Sequence, residues 1–277
     1  MAHALIFDSG VGGLSVSAEI RTCLLDLQQT YIADDQFRPY GEKSDAALKA
    51  RLPALLWTLC ETVKPDIAVI ACNTASTSAL SEIRAVLKIP VIGVVPAIKP
   101  AAKYTQTGRF AVLGTPSTVR QKYVDKLIQE FAPTQTIIRH GSTKLVSLAE
   151  DKLAGRPVNL DALTAEIAPL FIDPKVDSVV LACTHFPLLI DELSAVAPAG
   201  ISWIDSGQAI ARRVKSVIAS LRKFGPPRPG PDIALLIGPN ADEPRKSAFL
   251  AYGFERVVGL VPHKGFESKV ERRHQDK

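Results

Sequence analysis

The sequence has no long apolar segment and no recognisable export signal. No stretch approaches the run of about 18 apolar residues that marks a membrane span, so none is predicted. The amino terminus, Met1 to Asp8, enters a predicted strand almost at once, without the basic segment and apolar core of a secretory signal. We therefore expect a cytoplasmic protein that has no membrane partner.

Cysteine is scarce, and no cysteine pair has the CxxC spacing. The four cysteines are Cys23, Cys60, Cys72 and Cys183, and the five histidines do not cluster with them at ligand spacing. In a reducing compartment this pattern argues against a disulfide framework and against a zinc site, so no metal is expected. Cys23 and Cys60 lie in helical patterns and are predicted to be small buried hydrophobic residues.

Charge of one sign is not concentrated anywhere in the chain. Lys and Arg number 33 against 28 Asp and Glu, which gives a formal net charge of +5 at pH 7. No predicted helix carries a basic stripe with interleaved aromatic residues, so nucleic-acid binding is not predicted. The glycine turn Asp8–Gly13 lacks the GxGxxG order and no Walker lysine follows it, so a nucleotide site is not predicted either.

The sequence does contain a regular alternation of short apolar runs and helical patterns. Repeated βα units predict a mainly parallel sheet with right-handed crossovers, and the pattern restarts near Arg109. We predict an α/β fold of two pseudo-symmetric, open, mainly parallel-sheet halves with the active site in the cleft between them. Residues 1–95 plus 208–262 would form the first domain, 96–207 the second, and 263–277 a polar tail.

Two of the cysteines occupy matching positions in the two halves. Cys72 and Cys183 each end a short apolar run and open a polar turn. Open α/β sheets bind ligands at the carboxyl ends of their strands, so the two thiols are predicted to face opposite sides of one small substrate. This symmetry suits a reaction that removes a proton from one face of a carbon and returns one to the other face. Thiols suit it because their pKa lies near the working pH.

The turns that contain these cysteines are rich in small and hydroxyl residues. Such turns present backbone N–H groups that bind carboxylates or phosphates. Both cysteines are predicted to begin helices, a position that lowers the pKa of a thiol. Asp8 could lie near Cys72, and His185 follows Cys183 by two residues. Either could assist proton movement, although an ordinary hydrogen-bonded turn histidine is the alternative for His185.

Four ordered motifs resemble the glutamate racemases, within the broader aspartate/glutamate racemase superfamily. They span most of the chain and read Phe7-Asp-Ser-Gly-Val-Gly-Gly-Leu14, Pro39-Tyr-Gly41, Ala71-Cys-Asn-Thr-Ala75 and Ala182-Cys-Thr-His-Phe-Pro187. The resemblance implies a cofactor-independent isomerase that interconverts L- and D-glutamate by two-thiol proton transfer at the α-carbon. It also implies a homodimer and a role in supplying D-glutamate for peptidoglycan synthesis.

The resemblance assigns roles to particular residues. Cys72 and Cys183 would be the proton donors and acceptors, with Asp8 assisting the first and His185 the second. The groups that hold the glutamate carboxylates and ammonium would be Asp8, Ser9, Tyr40, Gly41, Asn73, Thr74, Thr184 and His185, with Thr118 as a further candidate. Glu150 lies where the family has a glutamate near the site. Without a metal or pyridoxal group as electron sink, fixed N–H and hydroxyl donors must stabilise the carbanion.

The chain departs from the family pattern in two segments. Phe37 and Arg38 stand where the family usually has Arg or His two residues before Pro-Tyr-Gly, and the segment 142–147 lacks the usual Cys-Pro and Val-Pro. Two other functions stay open at this point. One is racemisation of aspartate or of a related dicarboxylic or hydantoin compound. The other is a partner-binding role on the same fold, such as restraint of DNA gyrase.

Overall fold

The chain folds into two parallel β-sheets packed between helices, in a computed structural model that describes residues 2–221, 230–238 and 242–260. Every recorded strand pair is parallel. The first sheet contains β1 (His3–Asp8), β2 (Gln28–Ala33), β3 (Ile67–Ile70), β4 (Val91–Gly93), β9 (Ile233–Ile237) and β10 (Arg256–Leu260). The second contains β5 (Arg109–Gly114), β6 (Thr136–Gly141), β7 (Ser178–Ala182) and β8 (Ser202–Ile204).

The second sheet repeats the strand order of the first. Its order is β6-β5-β7-β8, and the first sheet runs β10-β9-β2-β1-β3-β4. Strands β5 to β8 therefore correspond to β1 to β4, and β9 and β10 extend the first sheet beyond β2. The predicted α/β fold of two related parallel-sheet halves is confirmed. In this correspondence β3, which precedes Cys72, is the counterpart of β7, which precedes Cys183.

Helices cover both faces of each sheet. They are α1 (Leu14–Cys23), α2 (Asp45–Val63), α3 (Asn73–Val86), α4 (Ile98–Tyr104), α5 (Pro116–Val119), α6 (Lys122–Phe131), α7 (Lys144–Leu153), α8 (Leu160–Ile167), α9 (Ile190–Val196), α10 (Gly207–Ser220) and α11 (Glu243–Ala251). Short 3-10 helices span Tyr40–Glu42, Ala168–Phe171 and Phe186–Leu189. No helix in the described ranges is both long enough and apolar enough to cross a bilayer.

The apolar character of the central strands follows from this layering. In β1, Ala4 and Ile6 pack in the core on one face of the sheet, whereas Leu5 and Phe7 pack in the core on the other. Parallel strands covered on both faces are apolar at nearly every position, which is why these runs do not alternate with polar residues. Polar side chains therefore collect in the turns at the carboxyl ends of the strands.

Several predicted elements differ from the observed ones. The helix α4 was not predicted, because it has only seven residues and contains Pro100, and the helix predicted to begin at Cys183 begins only at Ile190, as α9. The predicted turn from Gly114 to Thr118 includes the short helix α5, where the Thr115 side chain caps the N–H of Thr118 at 3.2 Å. Helix α10 ends at Ser220 rather than near Phe224.

The connections at the carboxyl end of the chain are only partly described. Most of the predicted loop 224–231 and the whole predicted tail 263–277 lie outside the described residues. Helix α10 packs with α1 in one hydrophobic core, so the chain returns to the first sheet after β8. The domain bounds themselves stay a prediction.

Candidate active site

The carboxyl ends of the two sheets meet around a cavity of about 550 Å³. The volume is within the usual range for a small-molecule site. Most of the predicted site residues line this cavity: Ser9, Tyr40, Gly41, Cys72, Asn73, Thr74, Glu150, Cys183, Thr184 and His185. Asp8 and Thr118 lie directly behind them, through the contacts described below. The fold thus brings both turns with a cysteine to one enclosed space.

Cys72 lies at the junction of β3 and α3. Its extended backbone makes it the N-cap of α3, where its Sγ accepts a hydrogen bond from the N–H of Ala75 at 3.5 Å. The Ser9 hydroxyl lies 3.8 Å from the same sulfur. The predicted lowering of its pKa is wrong. Burial raises the pKa of Cys72, and the charge of Asp8 raises it further, so the helix N-terminus is outweighed. Cys72 is therefore a protonated thiol at neutral pH.

Cys183 occupies the equivalent position after β7, but its surroundings differ. No α-helix begins there, contrary to the prediction: a turn leads into the 3-10 helix Phe186–Leu189, and α9 starts at Ile190. The Sγ atom lies 3.9 Å from Nδ1 of His185, and both side chains are buried. The local positive charge for this thiol comes from the imidazole rather than from a helix N-terminus.

His185 is held between a sulfur and a carboxylate. Its Nε2 lies 3.7 Å from Oε1 of Glu150, an ion-pair distance that is too long for a direct hydrogen bond. Burial by itself lowers the pKa of His185, but the contacts with Cys183 and Glu150 outweigh it and raise the pKa to about 10. The imidazole is therefore protonated at neutral pH, which places a positive charge beside the Cys183 sulfur.

Asp8 joins the two halves below the cavity floor. Its fully buried carboxylate accepts hydrogen bonds from the N–H groups of Ser9 at 2.8 Å and Gly13 at 2.5 Å. The Thr184 hydroxyl donates to it from the other half at 3.4 Å. Asp8 reaches Cys72 only through Ser9, whose hydroxyl lies 3.5 Å from the carboxylate. Its influence on Cys72 is thus exerted through charge and through the serine.

Three threonine hydroxyls form a cluster at one end of the cavity. The hydroxyls of Thr74, Thr115 and Thr118 lie 2.9–3.1 Å from one another. Thr115 lines the cavity and was not predicted as a site residue, although its position after β5 mirrors that of Ser9 after β1. Asn73 lies nearby, and its buried Nδ2 has no hydrogen-bond partner within the described residues. These groups can receive a carboxylate.

The Tyr40 hydroxyl has a structural role. It donates to Asp34 at 2.6 Å, and the same carboxylate accepts two hydrogen bonds from Arg51 at 2.7 Å. A ligand therefore meets the remaining surface of Tyr40 and the backbone of Gly41. A Cβ at Gly41 would lie 2.8 Å from Cβ of Thr115, so the close approach of the two halves here requires glycine.

The two segments that depart from the family pattern both contribute to the site. The Phe37 ring packs edge-on against Tyr40, with a centroid distance of 6.1 Å. Arg38 donates to both carboxylate oxygens of Glu150 at 2.8–2.9 Å. In the segment 142–147, Lys144 is exposed at the cavity mouth, and it was not predicted as a site residue.

Glu150 is the most heavily paired acidic group at the site. Besides Arg38, it accepts a hydrogen bond from Arg245 at 2.8 Å, and Arg245 also binds Asp35 at 2.5 Å. Burial tends to raise the pKa of Glu150, but His185, Arg245 and Arg38 together lower it to about 2. Glu150 is therefore ionised throughout the physiological range. Among the described residues, no group of three or more His, Cys, Asp or Glu could hold a metal ion.

Comparisons with known proteins agree on one family. A family model described as Asp/Glu/Hydantoin racemase matches residues 16–214. A glutamate racemase of Sphingopyxis alaskensis is 51% identical over 77% of this chain and 81% of its own length. One from Vibrio cholerae is 45% identical over 80% of this chain and 83% of its own length. A crystal structure of Escherichia coli glutamate racemase, in complex with L-glutamate and the activator UDP-MurNAc-Ala, has a TM-score of 0.87. It is 42% identical and covers 94% of this chain and 98% of its own.

Proposed function

The chain belongs to the Asp/Glu/hydantoin racemase family, and we propose that it interconverts L- and D-glutamate with Cys72 and Cys183 as the two acid–base groups. One observation carries the mechanism: two buried thiols that follow the equivalent strands β3 and β7 line the same cavity. A homodimer, a cytoplasmic location and the supply of D-glutamate for peptidoglycan stay predictions.

The two thiols have different electrostatic surroundings. Cys72 is protonated, and the His185 imidazolium lies beside Cys183, where it can stabilise a thiolate formed in the reaction. For one enantiomer, the Cys183 thiolate removes the α-proton and Cys72 donates its proton to the opposite face of the carbon. The product complex then contains a protonated Cys183 and a Cys72 thiolate. The other enantiomer is converted by the same steps in reverse, so each thiol acts as base in one direction and as acid in the other.

The carbanion that forms between these steps needs fixed hydrogen-bond donors. Asn73 offers an unpaired buried amide, and the Thr74–Thr115–Thr118 cluster offers hydroxyls. The N-terminus of the 14-residue helix α3 adds positive potential at the same place. Donors held in place before the reaction stabilise negative charge more effectively than water does, because they need no reorganisation.

Incubation with L-glutamate in D2O, without added cofactor, tests the reaction and the substrate together. We expect the circular dichroism signal to decay to zero and the α-position to acquire deuterium, since the departing proton and the arriving one belong to different thiols. NMR measures the deuterium. Retention of both optical rotation and α-protium would contradict the proposal. Parallel incubations with L-aspartate and a hydantoin distinguish glutamate from the other substrates of the superfamily.

Lys144 at the cavity mouth is expected to help capture the anionic substrate. Replacing Lys144 with methionine should raise KM about 2- to 5-fold at low salt and leave kcat nearly unchanged, because an exposed charge acts on encounter rather than on chemistry. The difference should vanish near 1 M salt, where the Debye length is about 3 Å. Steady-state kinetics at two ionic strengths measures both effects.

Lys88→Met is a suitable control for this comparison. Lys88 is also exposed, but it precedes β4 and so lies at the amino end of the first sheet, away from the cavity. Its replacement should leave KM unchanged. An equal rise of KM in both variants would show that net charge, rather than the position of Lys144, sets the effect.

A further inference from the structure

Arg245 lies outside the cavity but next to its charged wall. It belongs to α11, the helix between β9 and β10, and its side chain is 11% exposed. Its Nη1 donates to Oδ2 of Asp35 at 2.5 Å, and its Nη2 donates to Oε2 of Glu150 at 2.8 Å. One planar guanidinium thus connects a carboxylate of the first half with a carboxylate of the second.

The orientation of Glu150 is set by this contact. Its Oε2 is shared by Arg245 and Arg38, which leaves Oε1 directed at Arg38 and at Nε2 of His185. Arg38 is 26% exposed and lines the cavity, whereas Arg245 is largely buried and does not. Of the two cations, Arg245 is therefore the less free to move.

Removal of Arg245 would leave an unbalanced group of charges. The charge of Glu150 raises the pKa of Asp35, whose side chain is only 1% exposed, and both carboxylates bind the same guanidinium. Arg38 alone would face both carboxylates, and the carboxylate of Glu150 would turn toward solvent to avoid Asp35. The distance from Glu150 to His185, already 3.7 Å, would then increase.

We propose that Arg245 is a positioning residue, which holds the Glu150 carboxylate against His185 and thereby couples the strand pair β9–β10 to the active site. The kinetic part of this inference rests on the proposed racemase function. Arg245 touches neither the thiols nor the cavity, so its effect reaches Cys183 through Glu150 and His185 in turn. His185 is buried and Glu150 is half-buried, and both are charged at neutral pH, so their interaction is present there.

Three variants test the proposal. Arg245→Met removes the guanidinium but keeps the apolar stem. Arg245→Lys keeps the charge but loses the fork that binds two carboxylates at once. Arg21→Met is the matched control, because Arg21 likewise anchors the β9–β10 region, by joining α1 to Asp232 just before β9 through an ion pair, and makes no contact with Glu150.

We expect Arg245→Met to lower kcat about 10- to 100-fold with KM changed by less than about 3-fold. In a plot of kcat/KM against pH, the decrease at alkaline pH should move to lower pH by about one unit. The reason is that Glu150, once displaced, stabilises the positive charge of His185 less. Arg245→Lys should recover part of kcat and part of the pH shift. Arg21→Met should reduce thermal stability without changing the pH at which kcat/KM decreases.

A readout that needs no turnover separates this proposal from the proposed function. The 15N chemical shifts of the His185 ring report its protonation directly, and its titration should move to lower pH in Arg245→Met whether or not glutamate is the substrate. An unmoved His185 titration in folded Arg245→Met, or kinetics identical to those of Arg21→Met, would overturn the positioning role. A wild-type protein that does not racemise glutamate, combined with a His185 titration that is lower in Arg245→Met than in the wild type, would overturn the substrate assignment alone.

Discussion

Replacing either Cys72 or Cys183 with serine is expected to reduce kcat/KM by about 10³- to 10⁴-fold. Serine is similar in size to cysteine and is also a hydrogen-bond donor, but the pKa of its hydroxyl is far too high for proton exchange at neutral pH. The loss must be the same for L- and D-glutamate, because the enantiomers have equal free energies and the ratio of their kcat/KM values is fixed at unity. A polarimetric assay run in both directions measures it.

Exchange of the α-hydrogen should separate the two thiols. With one thiol left, proton removal and return can occur only on one face of the carbon. The Cys183→Ser variant should therefore exchange the α-hydrogen of one enantiomer without racemisation, and Cys72→Ser should exchange that of the opposite enantiomer. The same enantiomer exchanging in both variants would contradict the arrangement of a thiol on each side of the substrate.

Cys60→Ser provides the control for a buried thiol as such. Cys60 lies in α2, outside the cavity, and burial raises its pKa to about 11. It shares with Cys72 a buried position and a raised pKa but no contact with the site. Its replacement should change stability slightly and leave kcat/KM within a factor of about two.

The second large effect is expected from His185→Asn. Asparagine keeps a donor near the position of Nδ1 but cannot carry a positive charge, so a thiolate formed at Cys183 during the reaction would have no cation beside it. We expect kcat/KM to fall by about 10²- to 10³-fold. In the native enzyme kcat/KM should decrease on the alkaline side as the pH rises toward about 10, where His185 loses its proton. This limb should change position or disappear in the variant.

Stability should depend on pH in the same region. The pKa of His185 is about 10 in the folded protein against an ordinary value of 6.5, so the folded state binds this proton more tightly. The resulting stabilisation is fully present below about pH 6.5 and is lost as the pH rises to about 10. At about 1.4 kcal/mol per pKa unit it amounts to a few kcal/mol. Urea midpoints between pH 6 and 10.5 should fall in the native protein and fall less in His185→Asn.

His140→Asn is the control for this pair of measurements. His140 lies 3.7 Å from Glu166, the same distance that separates His185 from Glu150, but it is part of β6 and does not line the cavity. Its side chain is 23% exposed, whereas that of His185 is 6% exposed. A loss of activity equal to that of His185→Asn would show that the effect comes from general destabilisation.

Much of the fold and the centre of the site could be predicted from sequence, because both depend on local patterns. Apolar runs that end in polar turns identified β3 and β7 and placed Cys72 and Cys183 at their carboxyl ends. The predicted glutamate racemase family is confirmed by relatives that are 44–51% identical. These features need no knowledge of how distant segments pack.

The environment of each thiol could not be predicted in the same way. The sequence suggested that helix starts lower both pKa values, but Cys183 does not start an α-helix, and at Cys72 burial and Asp8 outweigh α3. The contacts of Arg245 could not be predicted from the sequence either. They join positions 95 and 210 residues apart in the chain, and no local pattern marks an arginine in α11 as a partner of Glu150. Only tertiary packing determines such contacts.

The repeated strand order also determines where the two halves are joined. Within the described residues the chain passes between the halves after β4 and after β8, and Ser206 ties these crossings together by donating to the carbonyl of Val95 at 2.6 Å. Strands β4 and β8 are edge strands, whereas Asp35 and Glu150 follow β2 and β6 on the far side of the cysteines. The chain connections between the halves thus lie beside β4 and β8, and the ion pairs of Glu150 with Arg38 and Arg245 join the halves on the opposite side of the site. Any widening of the cleft on that side would have to break the same ion pairs that orient Glu150 toward His185.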